Sequence, residues 1–363
     1  MQRTVTVDLG SRSYEVRIGP GELNTLGAFA AGLDSVSNAV VVSDTQVARL
    51  YGERAIGSLG DAGMTASLLS FAAGEQHKTL ATYGRLLDEL LALSPPIDRD
   101  SLVVALGGGV VGDVAGFVAA TALRGLRWLQ CPTTLLADVD ASVGGKTAVD
   151  HPAGKNLIGA FHQPAGVLID TETLTTLPPE QTASGLAECV KHAVIRDAEL
   201  LVLLEENADA ILACRPDVMG ELIARNVAIK AAVVSDDERE TGVRSHLNLG
   251  HTVGHAIEVT VGYRNIGHGQ AVAIGMAAAC RMAVHRKLIK LRDAERVEKL
   301  LGLLGLPVRL AGLDAEQIWL AMQHDKKVRG GKVRMVLPTR LGAVDVFDDV
   351  TPEQVRKVIR ELQ

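Results

Sequence analysis

No two cysteines of this chain are close enough to form a C-x-x-C pair. Cys131, Cys189, Cys214 and Cys280 are dispersed, which speaks against a zinc knuckle or a disulfide frame and reads as four reduced core residues. No stretch approaches the ~18 uninterrupted apolar residues of a spanning helix. The N-terminal MQRTVTVDLGSRSYEV lacks the charged-then-apolar order of a secretory signal, so the expectation is a cytoplasmic protein with no membrane partner. Positive charge is not in excess either. A formal net charge of −6 gives no overall footprint for nucleic acid, and an anionic ligand must be met by a local cluster of Lys and Arg. Fixed-period repeats and low-complexity tracts are also missing.

What is present suits two packed cores. The 363 residues, 47% of them apolar, exceed what a single core usually spans and favour two domains. VTVDL, YEVRIG, NAVVVSD and MTASLLSF read as strands, 79–93 as a helix, SLVVALGGG as a buried strand entering a turn, and VLID at 167–170 as the last strand of its sheet. That alternation predicts an α/β fold, a parallel sheet wrapped by helices with ligands at the carboxyl ends of the strands. Past Pro178-Pro179, amphipathic segments at about 181–196, 198–213, 216–234, 251–260 and 268–287 make the second half mainly helical. VRMVLPTRLGAVDVF reads as a small hairpin, and a closing helix starts near Thr351-Pro352-Glu353-Gln354. The expected division is a Rossmann-like nucleotide-binding domain over 1–178 and a mainly α-helical metal- and substrate-binding domain over 179–363.

The run 107–113, GGGVVGD, holds G-x-G-x-x-G between the apolar strand LVVAL and the helical VAGFVAAT. Glycines there allow a tight turn and close approach to a pyrophosphate, whose charge meets backbone N–H groups at a helix N-terminus. The ribose carboxylate expected about 20 residues downstream is missing, since no Asp or Glu lies between Asp113 and Asp138. Asp44, Glu75 and Lys78 are candidates to replace it. Thr133 and Thr134, where a strand runs into a helix start, are a second candidate nucleotide contact.

In LNLGHTVGHAIE, His251 and His255 are four apart and share one face of a helix, and His268 opens another helical stretch. Two histidines and a carboxylate leave a metal position open for substrate, as in catalytic zinc sites, although the same set suits non-haem iron. Glu188, on an otherwise apolar helix, fits as the carboxylate. Spacing leaves open whether His192, four after Glu188, is a ligand or a neighbour. Between the halves, VGGKT and GKNLIGAF carry Lys146 and Lys155 among glycines with no evident periodicity. They read as a loop wrapping an anion, without the spacing of a P-loop.

Across 44–338, the strings GGGVVGD, LRGLRWLQCPTTLLADVDASVGGKT, GKNLIGAFHQP, GLAECVKHA, DDERETGVRSHLNLGHTVGHAIE and HDKKVRGGKVRMVLP closely resemble the 3-dehydroquinate synthase family of sugar-phosphate cyclases. The resemblance implies an NAD- and divalent-metal-dependent lyase of the shikimate pathway, which makes aromatic amino acids. Its substrate would be an anionic sugar phosphate, 3-deoxy-D-arabino-heptulosonate 7-phosphate, and its products 3-dehydroquinate and phosphate. NAD would oxidise C5 transiently, the C6 proton would leave with phosphate, and re-reduction and internal aldol closure would follow. Zinc or cobalt on the adjacent oxygens would stabilise alkoxide and enolate.

By the same resemblance Glu188, His251 and His268 are the metal ligands, and His192 and His255 are not. Asp140 falls near the substrate hydroxyls, with Arg244 and Lys230 toward the carboxylate. Lys146, Asn156, Asn248, His255 and Lys327 surround the phosphate, and Lys155, Lys191 and Glu240 complete the polar pocket. The cofactor side matches through Asp44, Glu75, Lys78, Gly108, Gly109, Val110, Gly112, Asp113, Thr133, Thr134, Lys146 and Lys155, with Thr173, Leu174, Thr175 and Thr176 near the nicotinamide. Arg124 matches a residue that reaches the neighbouring subunit's site, which implies a homodimer. Two departures are Gln46, where the family often has Asn, and TALRG in place of TYMRG. Asn248, His255 and Lys327 disfavour a sibling cyclase, the lysine loops disfavour a polyol dehydrogenase, and the complete ligand set disfavours a silent NAD-binding regulator.

Overall fold

The computed structural model describes residues 1–240, 242–262, 265–324 and 332–363. Contacts divide it into two compact units, one of 1–177 with 219–235 and one of 178–218 with 236–363. In sequence order the first unit's strands are β1 (Arg3–Val7), β2 (Tyr14–Gly19), β3 (Asn38–Asp44), β4 (Thr65–Phe71), β5 (Leu102–Gly107), β6 (Arg127–Pro132), β7 (Lys146–His151), β8 (Gly154–Phe161) and β9 (Gly166–Asp170). Seven of them form one sheet in the order β1-β2-β9-β6-β5-β3-β4. The sheet is parallel from β2 to β4, and β1 pairs antiparallel with β2 at the edge.

The interior strand β5 is buried at every residue, as a strand covered on both faces must be. Val40, Val42, Val103 and Ala105 pack on one side against Val114, Phe117 and Val118 of the helix Gly109–Thr121. Val41, Val104 and Leu106 pack on the other against Leu26, Phe29, Ala55 and Leu59. Strand alternation thus builds two apolar layers, and the carboxyl ends of β5, β6 and β9 are left to run into Gly108, Thr133 and Thr171.

Lys146 and Lys155 lie not in an irregular loop, as their glycine neighbours suggested, but on the antiparallel pair β7–β8. The reason is packing. Val149 is fully buried in the same cluster as Phe117 and Trp128, with Ile158 and Ala160 against it. Gly116 admits the hairpin, because a Cβ there would lie 2.4 Å from Thr147 Cγ2.

The second unit is helical, with Pro179–Arg196, His251–Val261 and His268–His285 at its centre and the hairpin of β10 (Met335–Arg340) and β11 (Ala343–Phe347) beside them. The helix expected over 198–213 is broken into Ala198–Glu206 and Ala208–Leu212 at Asn207. There the Asn207 side-chain amide donates to the Leu203 carbonyl, competing with the helical ladder as short polar side chains do. Among the described residues no helix is long and apolar enough to cross a membrane.

Candidate active site

In the first unit the glycine turn is shaped by close approach. A Cβ on Gly107 would fall 2.5 Å from Val111 Cγ2, one on Gly108 3.0 Å from Thr134 Cγ2, and one on Gly112 2.8 Å from Gln130 Oε1 of β6. Gly108 caps the helix Gly109–Thr121 with no side-chain acceptor. The amides of Gly109, Val110 and Val111 therefore point out of the helix start, where an anion is favoured. Thr133, 5% exposed, donates its amide to the Gly107 carbonyl at 3.1 Å, and Thr134 Oγ1 accepts from Ala137.

Asp113 and Lys78 meet at 2.5 Å, and the same ammonium donates to Asn156 Oδ1 at 2.5 Å. Burial pulls the Lys78 amine down, but Asp113 and Glu75 more than offset this and hold it above its ordinary value. Glu75 lies 3.3 Å from Lys155. Asp44 caps the helix after β3 by accepting from Gln46 and Val47 with Oδ1. Thr173, Leu174, Thr175 and Thr176 fall in a 3-10 turn after β9, where the Tyr51 hydroxyl lies 2.7 Å from Thr176 Oγ1. Asp140 pairs with Lys230 at 2.5 Å, because the segment 219–235 belongs to this unit. Lys146 stands exposed at the start of β7. Arg124 is exposed in a turn where Leu123 and Arg124 both take left-handed φ, 50° and 68°.

In the second unit Glu188, wholly buried, faces two imidazoles. Its Oε1 lies 3.6 Å from His251 Nε2 and 3.7 Å from His268 Nε2, and its carboxylate also pairs with Lys191 one turn on. Metal–ligand bonds of ~2.1 Å in a tetrahedron put neighbouring donors ~3.4 Å apart, so these atoms stand at the spacing of a coordination shell rather than of hydrogen bonds. The far ring nitrogens fit the same reading: His251 Nδ1 is 3.1 Å from the Leu249 carbonyl and His268 Nδ1 is 3.2 Å from Glu258 Oε1. Such outer partners orient metal-binding imidazoles. The donor set therefore fits a divalent ion. Burial lowers the His268 pKa, but Glu188 and Glu258 outweigh it and raise it to about 9.

Glycines bring these side chains together. A Cβ on Gly275 would fall 1.9 Å from the Gly250 carbonyl oxygen, one on Gly254 3.0 Å from the Ala271 carbonyl oxygen, and one on Gly269 2.3 Å from Ser184. Residue-level reading of the sequence passed over Glu258, although it is the last residue of GHTVGHAIE and one turn beyond His255. His255 has its ring 5.4 Å from His251 and 6.1 Å from His268 and joins Glu258 and His268 in an alternative donor group. His192 is buried in the helix that carries Glu188 but falls in neither group. Glu240, at φ 59°, accepts from Asn248 at 3.2 Å. Arg244 is 2% exposed, with its amide on Asp237 and its guanidinium on the Glu238 carbonyl. Lys327 lies outside the described residues.

The family model for the 3-dehydroquinate synthase N-terminal region matches 68–184, and that for its C-terminal region matches 185–328. A 3-dehydroquinate synthase of Nostoc sp. is 46% identical over all of both chains. Among solved structures, a 2-epi-5-epi-valiolone synthase from Streptomyces hygroscopicus with NAD+ and Zn2+ bound superposes with a TM-score of 0.88 at 30% identity, covering 98% of each chain. A 2-deoxy-scyllo-inosose synthase complexed with carbaglucose-6-phosphate, NAD+ and Co2+ gives 0.87 at 28% identity, covering 99% of this chain and 100% of that one.

Proposed function

The chain belongs to the 3-dehydroquinate synthase family, and on that premise we propose the part each of its residues takes in converting 3-deoxy-D-arabino-heptulosonate 7-phosphate to 3-dehydroquinate and phosphate. The enzyme is an NAD- and divalent-metal-dependent lyase of the shikimate pathway. When bound, NAD supplies a hydride acceptor that gives the hydride back within one cycle, and zinc or cobalt supplies Lewis acidity at the substrate oxygens. The observation that carries the reading is the Glu188, His251 and His268 donor set with its orienting partners.

The amides of Gly109 and Val110, at the helix start capped by Gly108, hold the cofactor pyrophosphate, and Gly112 lets that helix sit close to β6. Asp44, Glu75, Lys78, Asp113, Thr133, Thr134 and Lys155 hold the rest of the cofactor, with Thr173, Leu174, Thr175 and Thr176 beside the nicotinamide. Glu188, His251 and His268 ligate the metal. Asp140 accepts from substrate hydroxyls; Lys230 and Arg244 are assigned to the carboxylate. Lys146, Asn156, Asn248, His255 and Lys327 are assigned to the phosphate, where cations and amides favour its departure as a dianion. Lys191 and Glu240 complete the polar set, and the His255 ring is assigned to proton transfer.

The enzyme acts as a homodimer in the cytoplasm. What supports the dimer is the exposed Arg124 turn and the outer edge of β8, a strand with β7 as its one partner among the described residues, on which Leu157 and Phe161 are each 50% exposed. The test of function is to supply purified protein with NAD, metal and the heptulosonate phosphate and to follow phosphate and product mass. Phosphate release with 3-dehydroquinate and without accumulating NADH is the expected result. Stoichiometric NADH, or no phosphate from a metal-replete sample, refutes the reading.

A further inference from the structure

The geometry points to Asp150 as a positioning residue that locks Lys78 and Asn156 to each other and so couples the grip on the dinucleotide to the grip on the substrate phosphate. This rests on the roles proposed above for those two side chains.

Asp150 sits in β7 where the register against β8 shifts, between Val149 and His151. An irregularity of this kind re-aims a residue out of the ladder. The Asp150 amide donates to the Lys78 carbonyl at 2.8 Å, and its carboxylate accepts the Asn156 amide at 2.8 Å. Asn156 holds a left-handed φ of 54°, and its side-chain oxygen accepts from the Lys78 ammonium, which also binds Asp113.

The bonds therefore close a ring: Lys78 backbone, Asp150 backbone, Asp150 carboxylate, Asn156 backbone, Asn156 side chain, Lys78 ammonium. A lysine stem carries several free torsions, and a left-handed asparagine persists where its surroundings over-determine it. Asp150 supplies both restraints without being assigned to any ligand itself. What the ring takes from it directly is an acceptor oxygen at this point of β7.

Asp150→Ala and Asp150→Asn separate the acceptor from the charge. NAD affinity is titrated by calorimetry without substrate, and KM for the heptulosonate phosphate is measured at saturating NAD. In Asp150→Ala both constants are expected to rise at least about fivefold, while Asp150→Asn, which keeps the acceptor, stays within about twofold of wild type. A residue of merely structural importance would lower yield and Tm and leave both constants unchanged in the folded fraction, and that outcome overturns the inference. So does an asparagine variant as impaired as the alanine one. Should Asp150→Ala fail to fold, Asn156→Ala opens the same ring at an exposed position and must also weaken NAD; unchanged NAD affinity there overturns it equally. Wild-type protein that neither binds NAD nor turns over would count against the functional reading instead.

Discussion

His268 offers one ring nitrogen to Glu188 and the other to Glu258, and the two contacts do different things. The first faces the proposed metal position and the second holds the ring. His268→Ala is expected to abolish stoichiometric metal while NAD still binds, and unchanged metal content by elemental analysis would remove His268 from the ligand set. Glu258→Gln keeps the ligands and alters the orienting contact, so metal affinity should fall by roughly tenfold to a hundredfold, the usual effect of outer-shell changes. Asp138 poses a separate question. It is fully buried, neither carboxyl oxygen has a hydrogen-bond partner among the described residues, and burial with Asp170 nearby pushes its pKa well above the ordinary carboxylate value. Folded Asp138 thus keeps its proton where the unfolded chain, with a pKa of about 3.9, loses it. The folded state binds more protons above that point, so stability falls as pH rises toward the folded pKa. Asp138→Asn should flatten this slope, with Tm exceeding wild type by a margin that widens as pH rises above about 4. A constant margin refutes the assignment.

At the scale of elements, the sheet and the glycine turn were legible because one backbone rule governs each: unbroken apolar runs for covered strands, and absent side chains where helix and strand touch. The pair His251 and His255 was legible as a helical face. Glu258 was not, because a carboxylate that orients a ligand looks in sequence like any polar residue closing a helix. The strands β7 and β8 were masked by Gly144, Gly145, Gly154 and Gly159, which weaken a strand pattern locally while tertiary packing of Val149 restores it. Nor could spacing reveal that Lys230 meets Asp140, ninety residues away. The glycines between the helices His251–Val261 and His268–His285 make the sharpest prediction here. Gly275→Ala forces a methyl group against the Gly250 carbonyl, and overpacking of this kind costs about 1–3 kcal/mol. We expect a lowered denaturation midpoint together with weakened metal binding, since the displaced turn carries His251. Unaltered stability would mean that the helices yield without strain.

For the whole molecule, the outer edge of β8 is the feature a second copy would cover. Exposed strand edges with apolar side chains are normally paired or blunted. Phe161→Asp is expected to convert a dimer to a monomer by light scattering at micromolar concentration, with the far-ultraviolet spectrum preserved. A persistent dimer would move the interface elsewhere. A further consequence lies in the path of the chain, which leaves the first unit after 177, returns for 219–235 and departs again. Three crossings, rather than one, bind the two units into a single covalent weave. Fragments cut at the obvious proline pair would leave Asp140 without Lys230, so this protein offers no clean seam for shuffling its halves between relatives.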